Sequence, residues 1–218
     1  MSSRDRILQR LRTSVSTQAT AAARDPMSVD SGWPVLPREQ WLASFRQNLT
    51  DNHADVIEVS SAQWQDVVLD QFRARGVRTL RAGSHAEGQA LVAAANNAGF
   101  VAETAIESVE KSALFNDTDA GFSVALAGLA ETGTLVVNTG PQEPRTLSLV
   151  PPLNVILLRA SALYASFSQW VAQGGLPERM PTNVLLISGP SKTADIQQTL
   201  AYGAHGPKEL IVMVLTDA

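Results

Sequence analysis

The apolar positions of this chain change their period near residue 55. Ahead of that point they recur at helical spacing. Ile7, Leu8, Leu11 and Val15 form one stripe, and Trp41, Leu42, Phe45 and Leu49 form another behind Pro37, a residue suited to opening a helix. Between the two, Asp25–Pro37 holds three prolines and Trp33 and reads as a linker across the surface. From Asp55 onward, short runs of Val, Ile and Leu alternate with helical stretches, which predicts strand–helix–strand units and a largely parallel sheet. The expected strands are Val56–Val59, Val77–Leu80, a short edge at Phe100–Val101, Gly121–Ala127, Thr134–Asn138, Val155–Leu158, Val184–Ile187 and Leu210–Leu215. Helices are expected near Ser61–Arg75 and His85–Ala98, stopped by Gly76 and Gly99, and near Ser161–Ala172 and Ala194–Tyr202. The later strands are almost continuously apolar, as strands buried on both faces are. The reading is α/β: a mostly parallel sheet flanked by helices in residues 51–218, preceded by an N-terminal helical extension and linker in residues 1–50.

Composition narrows the function classes. The 218 residues, 44% hydrophobic and 17% charged, make one globular domain with an appendage. A chain of this length buries roughly 70% of its unfolded surface and folds without staples. It has no cysteine, which removes thiolate catalysis, Cys-based zinc sites and iron–sulfur clusters held by this chain alone. A net charge of −4 argues against a nucleic-acid partner, since that affinity rests on clustered cations. No apolar run approaches the roughly 18 residues of a bilayer span, and no secretory leader opens the chain, so a cytoplasmic protein without a membrane span is expected. Met1–Arg24, with five Arg and one Asp, reads better as a docking or dimer-contact helix than as a targeting helix, and a homodimer is one expectation. His53, His85 and His205 lie far apart in sequence, so no metal site is expected. Neither a Walker A loop nor a Gly-x-Gly-x-x-Gly fingerprint occurs, which disfavours ATP and NAD.

Four segments carry candidate chemistry. Glu131-Thr132-Gly133-Thr134 is a polar patch between apolar runs; Glu131 is the candidate proton shuttle or nucleophile, with Thr132, Gly133 and Thr134 as ligand contacts. A hairpin turn explains the same residues equally well. Ser188, Gly189, Ser191, Lys192 and Thr193 sit where a strand is expected to run into a helix, a place where free N–H groups attract anions and Lys192 adds a cation. Capping by Ser191 or Thr193 is the plain alternative. Asn138–Pro152 is a long proline-rich loop whose Arg145 suits a carboxylate. His205 and Lys208, in Gly203–Glu209, are assigned a structural or interface role, because that turn precedes a strand and lies opposite the crevice at strand carboxyl ends where α/β sheets hold ligands.

Taken together, Ala130–Thr134, Arg145 with Ser148–Pro152, Ser188–Asp195 and Gly203–Glu209 resemble the lactate-utilisation protein C family (LutC/YkgG), also called the LUD domain, over about Asp55–Leu215. The resemblance implies a fold of the NagB/RpiA/CoA-transferase-like type and a role in oxidising L-lactate to pyruvate beside iron–sulfur partner proteins. This chain departs from the family pattern at Lys192, where Arg is common, at Gln197, where Glu is, and at Leu153-Asn154, where a His usually follows the double proline. Lactate oxidation moves two electrons, and a cysteine-free chain with no cofactor of its own leaves that step to others. The leading expectation is thus a non-redox subunit that binds a small carboxylate or phosphate. The alternatives are a stand-alone isomerase or acyl-transfer enzyme using Glu131, and a ligand-free scaffold for partner subunits.

Overall fold

The computed structural model describes residues 4–10, 36–104, 111–176, 181, 183–194, 200–203 and 205–218. The chain divides into two compact units, Met1–Pro34 and Val35–Ala218. In the first, residues 4–10 are helical and expose Ile7 and Leu8; Leu11, Val15 and the linker's Trp33 lie outside the described residues.

The second unit is built on a six-stranded parallel sheet of β1 (Asp55–Val59), β2 (Thr79–Ala82), β3 (Val101–Thr104), β4 (Ala120–Val124), β7 (Leu153–Arg159) and β12 (Glu209–Leu215), in the order β1-β12-β7-β4-β2-β3. The Ala86–Asn97 helix crosses between the parallel neighbours β2 and β3, and the Trp64–Arg75 helix carries the chain from β1 across the sheet to the non-adjacent β2, each a crossover of the kind parallel strands need. The adjacent interior strands β7 and β12 carry apolar side chains on both faces. Val155, Leu157, Ile211, Met213 and Leu215 join a core with Phe72 and Leu91 of those helices, whereas Ile156, Leu158, Leu210, Val212 and Val214 join a second core on the opposite face. The strands therefore read as continuous Val/Ile/Leu runs.

Four expectations are corrected. The Trp41–Asp51 helix, read from sequence as appendage, buries Phe45 and Leu49 completely in that second core, so the compact unit begins ahead of it. An amphipathic stripe shows that a helix docks but not on what. Next, Gly121–Ala127 is not one strand. β4 stops at Val124, and β5 (Ala127–Leu129) opens a separate four-stranded sheet with β6 (Thr134–Thr139), β8 (Leu163–Tyr164) and β9 (Asn183–Ile187), in the order β8-β5-β6-β9. Its β5–β6 and β6–β9 pairs are antiparallel; in the first, four residues between the strands leave no room for a crossover. Last, the helix expected at Ala194–Tyr202 is replaced at both ends by strand: β10 (Lys192–Ala194) pairs antiparallel with β11 (Leu200–Tyr202). The helix expected from Ser161 is likewise shortened to Phe167–Ala172, capped by the Ser166 hydroxyl.

Asp119, between the Lys111–Asn116 helix and β4, fastens the start of β2: its carboxylate accepts the N–H groups of Arg78 and Thr79 at 2.8 and 3.0 Å. Burial alone pushes this carboxyl up, but the hydrogen bonds from Arg78 and Thr79, aided by the Arg78 charge, together hold it below the ordinary aspartate value. A depressed folded-state value means stability that is present above the unfolded aspartate range and lost as pH falls through the folded one. Asp119→Ala is accordingly expected to cost about 1–2 kcal/mol near neutrality. In urea titrations the gap between wild type and variant should close in strongly acidic buffer; a gap independent of pH would refute the assignment.

Candidate functional site

The Trp41–Asp51 helix organises both polar segments singled out from the sequence. Ala130–Gly133 is the turn between β5 and β6, so the hairpin reading of that segment describes its backbone. Asn48 Nδ2 donates to the carbonyls of Ala130 and Glu131 at 3.0 and 3.1 Å, and the Ser44 hydroxyl donates to Ala130 at 3.0 Å. Gly133 adopts φ +59°, and a Cβ there would lie 2.6 Å from Asn48 Cβ and 2.9 Å from the Leu49 nitrogen. Its missing side chain admits the helix rather than a ligand. At the same helix end, a Cβ on Gly189 would meet the Asn52 carbonyl at 2.8 Å, and Lys192 Nζ lies 3.5 Å from Asn52 Oδ1.

The two segments touch through hydroxyls. Thr132 Oγ1 and Thr134 Oγ1 are 2.7 Å apart, and Thr134 Oγ1 and Ser188 Oγ are 2.8 Å apart. Beyond that chain lies a pocket of 190 Å³, lined by Ser148, Asn154, Ser188, Gly189, Ser191, His205 and Gly206 among apolar neighbours Leu149, Leu186 and Leu210. The Ser191 N–H donates to the Pro207 carbonyl at 2.8 Å, and the Gly203 N–H donates to the Ser191 carbonyl at 2.9 Å, which clasps the segment after β9 to the segment before β12.

This placement differs from the sequence expectation in two ways. Asn154 and Leu210 are second residues of β7 and β12, so the pocket lies at the amino ends of those strands rather than in the carboxyl-end crevice. For that reason His205, set aside from sequence because its turn precedes a strand, lines the pocket. With β10 beginning at Lys192, no helix start stands behind Ser188–Lys192, and the argument from helix N–H groups does not apply there.

Other expected members stand apart. Glu131 is exposed and outside the pocket lining, its N–H donating to the Ala165 carbonyl at 2.9 Å. Arg145 opens the short Arg145–Leu149 helix, exposed and not on the pocket wall. Lys192 is exposed at the rim beside Asn52; Thr193 lies in β10 opposite Ala201. Lys208 is exposed, with its N–H on the Pro152 carbonyl at 2.8 Å, and Gln197 lies outside the described residues.

Sequence reasoning missed Asn154 and Ser148. Asn154 is 1% exposed, in the position pair that follows the double proline. Its Nδ2 donates to the Ser148 carbonyl at 3.2 Å, which leaves Oδ1 buried with no donor. Ser148 in turn shares a 2.8 Å hydroxyl contact with Ser123. The available signal was one amide inside the apolar run Leu153–Leu158: a buried strand tolerates a polar side chain only where it has partners.

The model of the LUD domain family matches residues 42–215, a span that includes most of the Trp41–Asp51 helix. An uncharacterised protein of Neisseria meningitidis is 38% identical over 99% of this chain and 94% of its own length. Lactate utilization protein C of an Exiguobacterium species is 30% identical over 82% of this chain and 79% of its own. Among solved structures, a DUF162 family protein from Deinococcus radiodurans superposes with a TM-score of 0.60 over 83% of this chain and 99% of that one; at 19% identity it supports the α/β fold alone. With a family model spanning most of its length and relatives alike over most of both chains, this chain belongs to the LUD domain family, in the lactate utilization protein C and YkgG group.

Proposed function

We propose that the chain serves L-lactate utilisation as a non-redox, cytoplasmic component that holds a small 2-hydroxy carboxylate in the pocket between Ser188–Ser191 and His205–Pro207. Iron–sulfur partner proteins carry the electrons in this reading, and a second copy of the chain is a further partner. The relatives named lactate utilization protein C support the metabolic role. The observation that carries the ligand is the orphaned acceptor Asn154 Oδ1, buried in the pocket wall beside hydroxyl donors.

A lactate ion matches that wall group for group. Its carboxylate accepts from the Ser191 hydroxyl and the His205 ring, with Lys192 at the rim adding attraction that solvent weakens. Its 2-hydroxyl donates to Asn154 Oδ1 after a small turn of the amide, a torsion with a broad minimum. Pyruvate has no hydroxyl proton and leaves that oxygen unmatched. A volume of 190 Å³ suits a three-carbon acid and is below the roughly 300–1,000 Å³ of sites for larger ligands. Glu131, outside this wall, has no place in the binding scheme, so a binding role is favoured over catalysis by that residue.

Calorimetry on the full chain tests the reading. L-lactate should bind more tightly than pyruvate, and Ser191→Ala should weaken lactate by about 1.5–3 kcal/mol, the worth of a hydrogen bond to a charged group. Asn154→Leu should cost about 1 kcal/mol against lactate and nothing against pyruvate. Lactate affinity that both variants leave unchanged would remove the pocket from the function.

A further inference from the structure

We infer that a second cleft, at the carboxyl ends of β2 and β4, binds an uncharged polyol through Glu143 and Asn138. It shares no residue with the lactate pocket, and its test is independent of that reading. The chain leaves β2 through Gly83 and Ser84, and His85 caps the Ala86–Asn97 helix by accepting the Gly88 N–H at Nδ1, 3.0 Å away. A neutral imidazole that accepts at Nδ1 carries its proton on Nε2. His85 Nε2 therefore donates to Glu143 Oε2, at 2.8 Å. Glu143 is held from its own side as well: Gly140 and Glu143 exchange backbone hydrogen bonds of 2.9 and 3.1 Å, and the Ser84 N–H donates to the Gln142 carbonyl at 2.8 Å. Gly83 leaves room for the pair, since a Cβ there would lie 2.5 Å from Glu143 Oε2 and 2.6 Å from His85 Nε2.

Two acceptors are left unmatched. Glu143 is only 8% exposed, and its Oε1 is buried without a donor; Asn138 Oδ1, at the end of β6, is in the same condition. Buried polar atoms in native proteins are nearly always hydrogen-bonded, so two orphans on one wall call for a cause. Both residues line a cleft of 590 Å³, a size within the roughly 300–1,000 Å³ of small-molecule sites. The terminal torsions of Glu and Asn are broad, so a modest turn presents either oxygen to a ligand hydroxyl. Glu87 on this wall is already paired with Arg159, and His85 is committed to Glu143, so the described lining offers acceptors and no spare cation. That lining disfavours an anion and favours hydroxyl donors. Val124, Leu126 and Pro141 complete an apolar wall suited to the C–H face of a polyol ring.

The probe is myo-inositol, with glycerol as a shorter polyol and ethanolamine as an amine control, followed by amide NMR on the full chain. The expected result is that myo-inositol moves signals of Ser84–Gly88 and Gly140–Glu143 and leaves Ser188–Ser191 still. Glu143→Gln, which turns the free acceptor into a donor or breaks the bond to His85, should weaken binding about tenfold or more. Asn138→Leu should weaken it and Asn138→Asp, which keeps an acceptor, should retain it. Thermal melts confirm that each variant folds; should Glu143→Gln fail to, the Asn138 pair decides. Absence of any shift in the cleft, equal affinity in the variants, or binding there of ethanolamine but not myo-inositol would overturn the proposal.

Discussion

Replacing Phe45 by alanine should destabilise the protein by about 3–5 kcal/mol, the range measured for emptying a buried aromatic site. That is a large share of the 5–15 kcal/mol that holds a typical domain together. Phe45 is 0% exposed and belongs to the core that includes Leu49, Ile156, Leu158, Val212 and Val214. A helix that merely decorated the domain would cost almost nothing to empty. The measurement is the urea midpoint of the full chain, with Leu42→Ala, a partly buried position on the same helix, as the milder comparison. The same variant should also loosen the pocket proposed for lactate, because Asn48 and Asn52 carry the contacts to the neighbouring Ala130, Glu131 and Lys192. A Phe45→Ala protein that unfolds with the wild-type midpoint would return the helix to the status of an appendage.

Gly88→Ala is the second large effect. A Cβ at this position would lie 1.9 Å from the Gly83 carbonyl oxygen and 2.9 Å from its carbon, and both partners are backbone. No side-chain rotation relieves such an overlap; the Ala86–Asn97 helix has to back away from the end of β2. Alanine improves helix propensity by about 1 kcal/mol, whereas overpacking of this kind costs typically 1–3 kcal/mol and here belongs at or above the upper limit. The net expectation is a loss of about 2 kcal/mol or more. Retreat of the helix also draws its cap His85 away from Glu143, so the binding proposed for the Glu143 cleft should fall with stability. Gly76→Ala is the control. That glycine follows the last residue of a helix, at φ +68°, and nothing lies within 4 Å of its Cβ position, so only the left-handed backbone is penalised, by about 1 kcal/mol. Equal effects of the two substitutions would mean that the close approach of Gly88 to Gly83 is not what the position requires.

The legible parts of the molecule are those in which local pattern and tertiary environment agree. Val155–Leu158 and Leu210–Leu215 read as doubly buried strands because both faces of the parallel sheet are covered, so every position is apolar. Gly76 and Gly99 marked chain reversals at positive φ, a backbone property that composition carries directly. At the two ends of the helix expected over Ala194–Tyr202, the same kinds of residue serve as a capped helix or a short strand, and only pairing between β10 and β11 chooses.

By itself the sequence determined the α/β class, the absence of thiol chemistry, the family, and two loops rich in hydroxyls. Those follow from periodicity and residue type, which are properties of neighbours along the chain. Which end of the sheet those loops occupy, that Asn154 and His205 meet Ser191 around one pocket, and that Glu143 sits against His85 were decided by tertiary structure alone. His85 and Glu143 are 58 residues apart, and Asn154 lies in β7 whereas His205 lies in the connection before β12. Separations of that kind close only when strands pair in one order, and that order is set by packing both faces of the sheet at once.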